Sequence, residues 1–407
     1  MMVAMIMAVV LAAVGIGNVQ VQQNHPWDGK VNISYTVTGD IGDIDAAAAA
    51  KGGRPQLVVQ ALDKETSTKY EAATLSGDKS LAEGTHDICW DMSGDRIAFK
   101  STNVVFAVLC KVAPARYMVV DLSNPSAYSV TTLDDVPGGG WTDEYKTSKL
   151  VLRYIENGTF TMGDQVHVGT KYSNITISRG YYVGVFEVTQ RQWELVKGTK
   201  PSYFNNATYY QTRPVEEVSY NMIRGNSKGA GWPGSSEVDD SSFLGVLRAK
   251  TGNNGFDLPT EAQWEFAARS GTTTDYGNGT CYSNSGQDAN MAVVGRYWYN
   301  GGQNYSKSGD TSVGTAKVGS YAPNRWGLYD MHGNVWEWCL DWYGSLSSGA
   351  TDPKGAGSGP YRVQRGGCWD RYADYCTSSF RNYYFPSDVG SGCGFRVCCS
   401  AGSFDSH

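Results

Sequence analysis

The sequence predicts an α+β protein in two parts, an all-β N-terminal domain and a larger C-terminal domain that mixes short strands with a few helices. Three observations predict it. Apolar and polar residues alternate through the first part of the chain, helix-period segments with capping signatures begin only at Thr189, and the composition is rich in loop formers. Of 407 residues, 49 are glycine and 18% are charged, against usual values of about 7% glycine and about 25% charge. With 41% hydrophobic residues there is material for a core, which excludes wholesale disorder. The net charge is −6 and no lysine- or arginine-rich run occurs, which excludes a phosphate-backbone binder; no nucleic-acid partner is expected. The five histidines, His25, His86, His167, His332 and His407, never fall at i, i+4, so no local histidine metal site is present.

In chain order, Met1–Ile16 is an uncharged apolar run ending in small residues, and the first basic residue is Lys30. Its length suits a signal-peptide core and is short of the roughly 20 residues of a membrane span. It reads as a signal peptide over 1–17, implying a secreted or cell-surface protein, or else as a buried first strand. Export would permit disulfides among the nine cysteines, and the odd number leaves at least one thiol unpaired or shared with another chain.

Residues 18–123 read as a small immunoglobulin-like sandwich. Lys30–Asp40 places Val31, Ile33, Tyr35 and Val37 at period two, and Leu57–Leu62, Lys69–Leu75, Asp87–Met92, Val104–Val112 and Tyr117–Leu122 are further short apolar runs. Ala46–Gly53 reads as a loop. Nothing here gathers catalytic residue types, so a spacer or docking role is expected, attaching the protein to a cell surface or particle; a sugar-binding module is the other reading. Residues 124–148, with their Pro, Gly, Thr and Asp, read as a linker. The second domain spans 149–400, with a tail at 401–407. Its helices are Thr189–Lys197, Ser241–Lys250 and Thr260–Arg269. The last carries a capping box, Thr260 with Gln263, and an inward face of Trp264, Ala267 and Ala268.

Five phrases of the second domain are more specific: Gly158–Gly163 (GTFTMG), Leu258–Arg269 (LPTEAQWEFAAR), Gly327–Trp338 (GLYDMHGNVWEW), Arg365-Gly366-Gly367 and Gly394-Phe395-Arg396. In this order they resemble the formylglycine-generating-enzyme (sulfatase-modifying factor) family, which implies a C-type-lectin-like fold for 149–400. The resemblance also implies a structural calcium ion held by the Asp330 and Glu337 side chains and the Gly333 and Val335 carbonyls. Two carboxylates and two carbonyls within eight residues suit this hard cation. Catalytic members of the family bind copper through two cysteines spaced C-x-x-x-x-C and oxidise a substrate cysteine with O2. Here Cys376 takes the second position and Arg371 the first. A guanidinium has no lone pair for a metal, so copper is not expected and Cys376 is catalytic only in the oxidase reading.

Residues 369–393 carry seven aromatic residues and no Lys, Glu, Gln, Met, Leu or Ile. Tyr, Ser, Asp, Gly, Arg and Phe together are the composition of a paratope. Suppose Arg371, Tyr372, Asp374, Tyr375, Phe380, Asn382, Tyr383, Tyr384, Phe385, Asp388, Val389, Gly390, Ser391, Gly392 and Cys393 each began as an AAC codon. Replacing adenines alone reaches every one of them and cannot reach Lys, Glu, Gln, Met or Trp. The set resembles the variable region of proteins diversified by retroelements, many of which use a C-type-lectin scaffold. Ligand contact is therefore expected at Arg371, Tyr372, Asp374, Tyr375, Phe380, Asn382, Tyr383, Tyr384, Phe385, Asp388, Val389 and Ser391. Arg365–Gly367, Trp369, Arg381, Pro386 and Gly394–Arg396 are expected to be scaffold. The first reading is non-catalytic binding of a protein or glycan; copper-dependent oxidation and a structural envelope or appendage protein are the others.

Overall fold

A computed structural model describes residues 10–11, 14–23, 28–38, 53–65, 67–72, 74–79, 81–95, 97, 104–164, 169–283, 287–303, 305–307 and 309–401. The chain divides into two compact units, Met1–Ala115 and Arg116–His407.

In the first unit, strands β1 (Val10–Leu11), β2 (Val14–Gln23), β3 (Lys30–Thr38), β4 (Gly53–Asp63), β5 (Thr68–Glu71), β6 (Leu75–Gly77), β7 (Gly84–Asp91) and β8 (Val104–Pro114) form two sheets, ordered β1-β2-β3-β7-β6 and β5-β4-β8. Alternation in β3 is strict enough that Val31, Ile33, Tyr35 and Val37 are all buried, and they meet Val59, Ala61, Trp90, Phe106 and Val108 in one core. The sandwich therefore forms as its period-two pattern predicts. Its first long strand begins inside the apolar N-terminal run: Val14–Gly17 belongs to β2, and Ile16 is buried. The boundary expected for a signal peptide at residue 17 thus cuts through a strand of the sheet. Residues 1–9 and most of the expected Ala46–Gly53 loop lie outside the described residues.

The second unit starts earlier than its sequence suggests. Strand β9 (Tyr117–Asp121), expected in the sandwich, pairs with β10 (Ser129–Leu133) and with β11 (Lys149–Ile155). Residues 124–148, expected as a linker, hold β10 and helix α1 (Glu144–Thr147). β10 is the outer strand of its sheet and only half-buried at best, so its sequence carries no apolar alternation to reveal it. The remaining elements are β12 (Gly158–Asp164), β13 (Thr170–Ile177), β14 (Tyr181–Gly184), α2 (Gln190–Lys197), α3 (Tyr220–Arg224), α4 (Phe243–Thr251), β15 (Phe256–Asp257), α5 (Glu261–Arg269), α6 (Ala289–Val294), β16 (Trp336–Trp342), β17 (Arg362–Arg365), β18 (Arg381–Tyr384), β19 (Cys393–Gly394) and β20 (Cys398–Ser400). One sheet runs β10-β9-β11-β14-β20-β15; β12 and β13 form a hairpin; a second sheet runs β18-β17-β16-β19.

Both α2 and α5 open with reciprocal capping boxes, Thr189 with Gln192 and Thr260 with Gln263, each joining two otherwise orphaned backbone donors to side chains. Trp264, Ala267 and Ala268 are buried, as their helical spacing requires. At the centre of the main core Phe395 meets Phe243 at 5.1 Å between ring centroids, and Trp193 stacks on Phe243 at 5.3 Å. Full burial of one such ring is worth about 1.5–3 kcal/mol. No helix among the described residues is long and apolar enough to cross a membrane.

Candidate ligand-binding site

The site is assembled on the second sheet. β17 pairs antiparallel with β18, setting Gln364 opposite Asn382 and Arg362 opposite Tyr384, while β16 runs parallel to β19. Between these strands the window 369–393 is fastened by its main chain. Trp298 N–H donates to the Arg371 carbonyl at 2.9 Å, Asn221 N–H to Pro386 at 3.0 Å, Glu217 N–H to Gly390 at 3.0 Å and Trp336 N–H to Gly392 at 2.7 Å. The Trp369 indole N–H donates to the Ser391 carbonyl at 2.8 Å, and the Arg365 guanidinium reaches the Phe380 carbonyl. Gly367 has φ +78°, and a Cβ there would lie 2.4 Å from the Cys376 sulfur, so only glycine fits this entry to the window.

Seven of the twelve expected contact residues, Arg371, Tyr372, Tyr375, Phe380, Asn382, Tyr383 and Tyr384, line one groove of about 600 Å3. Phe385 adjoins it through Tyr361, at 4.6 Å between centroids. Tyr372, Tyr383, Phe385 and Val389 are exposed by 45–46%, and the Arg371 side chain by 45%. Asp374, Asp388 and Ser391 are half-buried and do not line the groove. None of the twelve is buried. Cys393, which shares their codon pattern, is buried. Ala373, Cys376, Thr377, Ser378 and Ser379 are buried too, and they seat the window on the body of the domain.

Four aromatic residues outside the window complete the surface, and sequence reasoning did not find them. Trp298 and Trp336 line the groove, and Tyr343 and Tyr361 flank Tyr383 at 4.6 and 4.8 Å. They come from three segments, Trp336 opening β16 and Tyr343 directly following it, and no local pattern joins these segments to the window. Arg371 has its acidic neighbour Asp370 only at 3.9 Å, whereas Arg381 is held by both oxygens of Glu261 at 2.6 and 2.7 Å. Arg371 is therefore the cation available to a ligand, and Arg381 belongs to the frame.

The position at which the resemblance would place copper does not fit the metal. Arg371 offers no donor atom, and the Cys376 thiol is buried and donates to the Tyr372 carbonyl. Burial, with Asp374 nearby, pushes the Cys376 thiol above its ordinary range, away from the thiolate that copper requires. Cys368 and Cys393 are also buried, the latter pushed up to about 12 by burial. No disulfide joins Cys89, Cys281, Cys339, Cys368, Cys376, Cys393, Cys398 or Cys399.

The Gly327–Trp338 loop is almost wholly interior. Asp330 and Glu337 are each 1% exposed. One Asp330 oxygen accepts from the Gly319 N–H at 2.6 Å, while the other has no hydrogen-bond partner. Burial, opposed by that bond and by Arg396, pushes Asp330 up to about 6. Glu337 is engaged differently: Arg396 grips both its oxygens at 2.6 Å, and the Trp264 indole donates at 2.7 Å. The Asp330 oxygen therefore fits a hard cation, whereas Glu337 already has a cationic partner. Among the described residues no group of three or more His, Cys, Asp or Glu side chains is placed to hold a metal ion.

Fold and motif sites together define an α+β domain of the C-type-lectin-like kind, with a groove at the window where family enzymes place their metal. Residues 143–401 match the sulfatase-modifying factor enzyme 1-like domain, and the chain belongs to that family. It is 31% identical over 273 residues to the chaperone protein LppX of Paenibacillus barcinonensis, covering 61% of this chain and 88% of that protein. It is 38% identical to the serine/threonine-protein kinase pkn1 of Chlamydia pneumoniae, over 61% of this chain but only 37% of that protein's length. Among solved structures it is similar to Treponema denticola variable protein 1, at 30% identity and TM-score 0.47, covering 62% of this chain and 95% of that one.

Proposed function

We propose that the protein is a non-catalytic, exported binding protein that presents residues 369–393 as a variable surface to a protein or glycan, diversified by a retroelement. The observation that carries this reading is the separation of duties within the window. Frame contacts run through main-chain carbonyls and fixed residues, while the twelve expected contact residues, drawn from the fifteen of the codon set, are all exposed or half-buried. Side chains can then change while the fold keeps its hydrogen bonds. Rigid tyrosines beside an exposed guanidinium whose acidic neighbour is 3.9 Å away supply the contact chemistry. The sandwich unit would tether the domain to a cell surface or particle.

The decisive experiment is to sequence the DNA flanking the gene. A near-identical repeat of the 369–393 coding segment, differing only at adenines, is expected together with a reverse transcriptase gene. Finding neither would defeat the retroelement reading. A structural Ca2+ is proposed at Asp330 with the Gly333 and Val335 carbonyls, Glu337 sharing its carboxylate with Arg396; it would brace the loop beneath the groove. Chelation with EGTA is then expected to lower the thermal midpoint, and an unchanged midpoint removes the ion from the account.

A further inference from the structure

A second cavity lies away from the window, between the start of β14, β20, the 232–236 turn and the loop after β16. Its volume is about 320 Å3, within the range of small-molecule sites. Its apolar walls include Ile177, Leu258 and Leu340, all buried, and the half-buried Trp232.

The charges around it are unbalanced. Arg179 and Lys354 line the cavity and are exposed, and neither makes an ion pair among the described residues. Lys354 Nζ lies 5.5 Å from the centroid of the Trp232 ring, whose indole N–H donates to the Lys354 carbonyl at 3.2 Å. Two acids also line the cavity, against three cations, Arg179, Arg248 and Lys354. Asp352 accepts from the Ser178 N–H and hydroxyl. Asp257 is shared by two guanidinium groups, Arg224 at 2.7 and 2.9 Å and Arg248 at 3.0 Å, leaving one positive charge in excess behind the apolar wall. A concave apolar site with surplus positive charge suits an anion with an apolar body.

We infer that this cavity binds a small organic anion, a carboxylate or sulfonate on an aromatic or aliphatic body, with Arg179 and Lys354 meeting the head group and Trp232 the body. The site uses no residue of the window and is independent of its variability.

The test is a fluorescence titration of the whole protein with 8-anilinonaphthalene-1-sulfonate. Saturable one-to-one binding is expected, weakened about tenfold in the double variant Arg179→Gln/Lys354→Gln (a tenfold change being ~1.4 kcal/mol) and unaltered in Arg371→Gln. Both substituted positions are on the surface, and a far-UV spectrum and thermal midpoint like those of the parent confirm folding. Loss of binding in Arg371→Gln alone would assign the dye to the window groove and overturn the inference. Absence of saturable binding, or equal affinity in the parent and the double variant, would overturn it as well.

Discussion

Gly327–Trp338 and the window 369–393 are both dense in aromatic residues and short on regular structure, yet they behave oppositely. In the first, everything from Asp330 to Glu337 is buried, and its acids face Arg396, which bonds Glu337 and the carbonyls of Gly184 and Tyr329. In the second, Tyr372, Tyr375, Tyr383, Tyr384 and Phe385 are exposed, and so is Arg371, whose acidic neighbour is 3.9 Å away. Residue type alone does not separate the two. The difference lies in where the partners are: the interior loop finds its counter-charge within the domain, and the window leaves that place open to another molecule.

The largest effect should come from breaking the interior side of this contrast. Arg396→Met leaves Glu337 without its counter-ion among Glu187 and Asp330, and Glu187 is already pushed well up by burial and by those two carboxylates. Stripping one partner from a buried pair costs about 3–5 kcal/mol, and urea denaturation should register a loss of that order; a loss below about 1 kcal/mol would mean the loop is not held this way.

A pH-dependent effect of comparable size is expected at Asp341, on the same strand as Glu337. Asp341 is pushed up to about 8 by burial and by Glu261, while a free aspartate titrates near 3.9. Folding then takes up a proton between these values, so stability falls as pH rises from about 4 to about 8, by up to ~1.4 kcal/mol per pH unit. Asp341→Asn should flatten that fall, gaining on the parent as pH rises; parallel stability curves would refute the assignment. The smallest effects belong to the window. Tyr372→Ser, Tyr384→Asn and Val389→Asp should each shift stability by no more than about 0.5 kcal/mol, and a loss near 2 kcal/mol in any of them would turn that position from surface into core.

The local signals were legible in the sequence. The β3 alternation, the α5 capping box and the outward window each depend on neighbours a few residues apart. What escaped depends on distant partners. An apolar run such as Tyr117–Asp121 says it is a strand but not which sheet it joins, and its partner β11 begins only at Lys149. β10 has no alternation because it lies at an edge. Glu337, expected to serve a metal, is also gripped by Arg396, 59 residues later, a partner no local pattern reveals. Trp298, Tyr343 and Tyr361 join the groove only through tertiary packing, which no spacing rule encodes.

The main-chain fastening of the window has an evolutionary reading. Were the window to vary as proposed, its contact face could be redrawn without re-solving how the polypeptide folds, because these fastening bonds to the domain are accepted by backbone carbonyls, which every residue carries. Selection for recognition and selection for foldability then act on different atoms, and improvement in one need not erode the other.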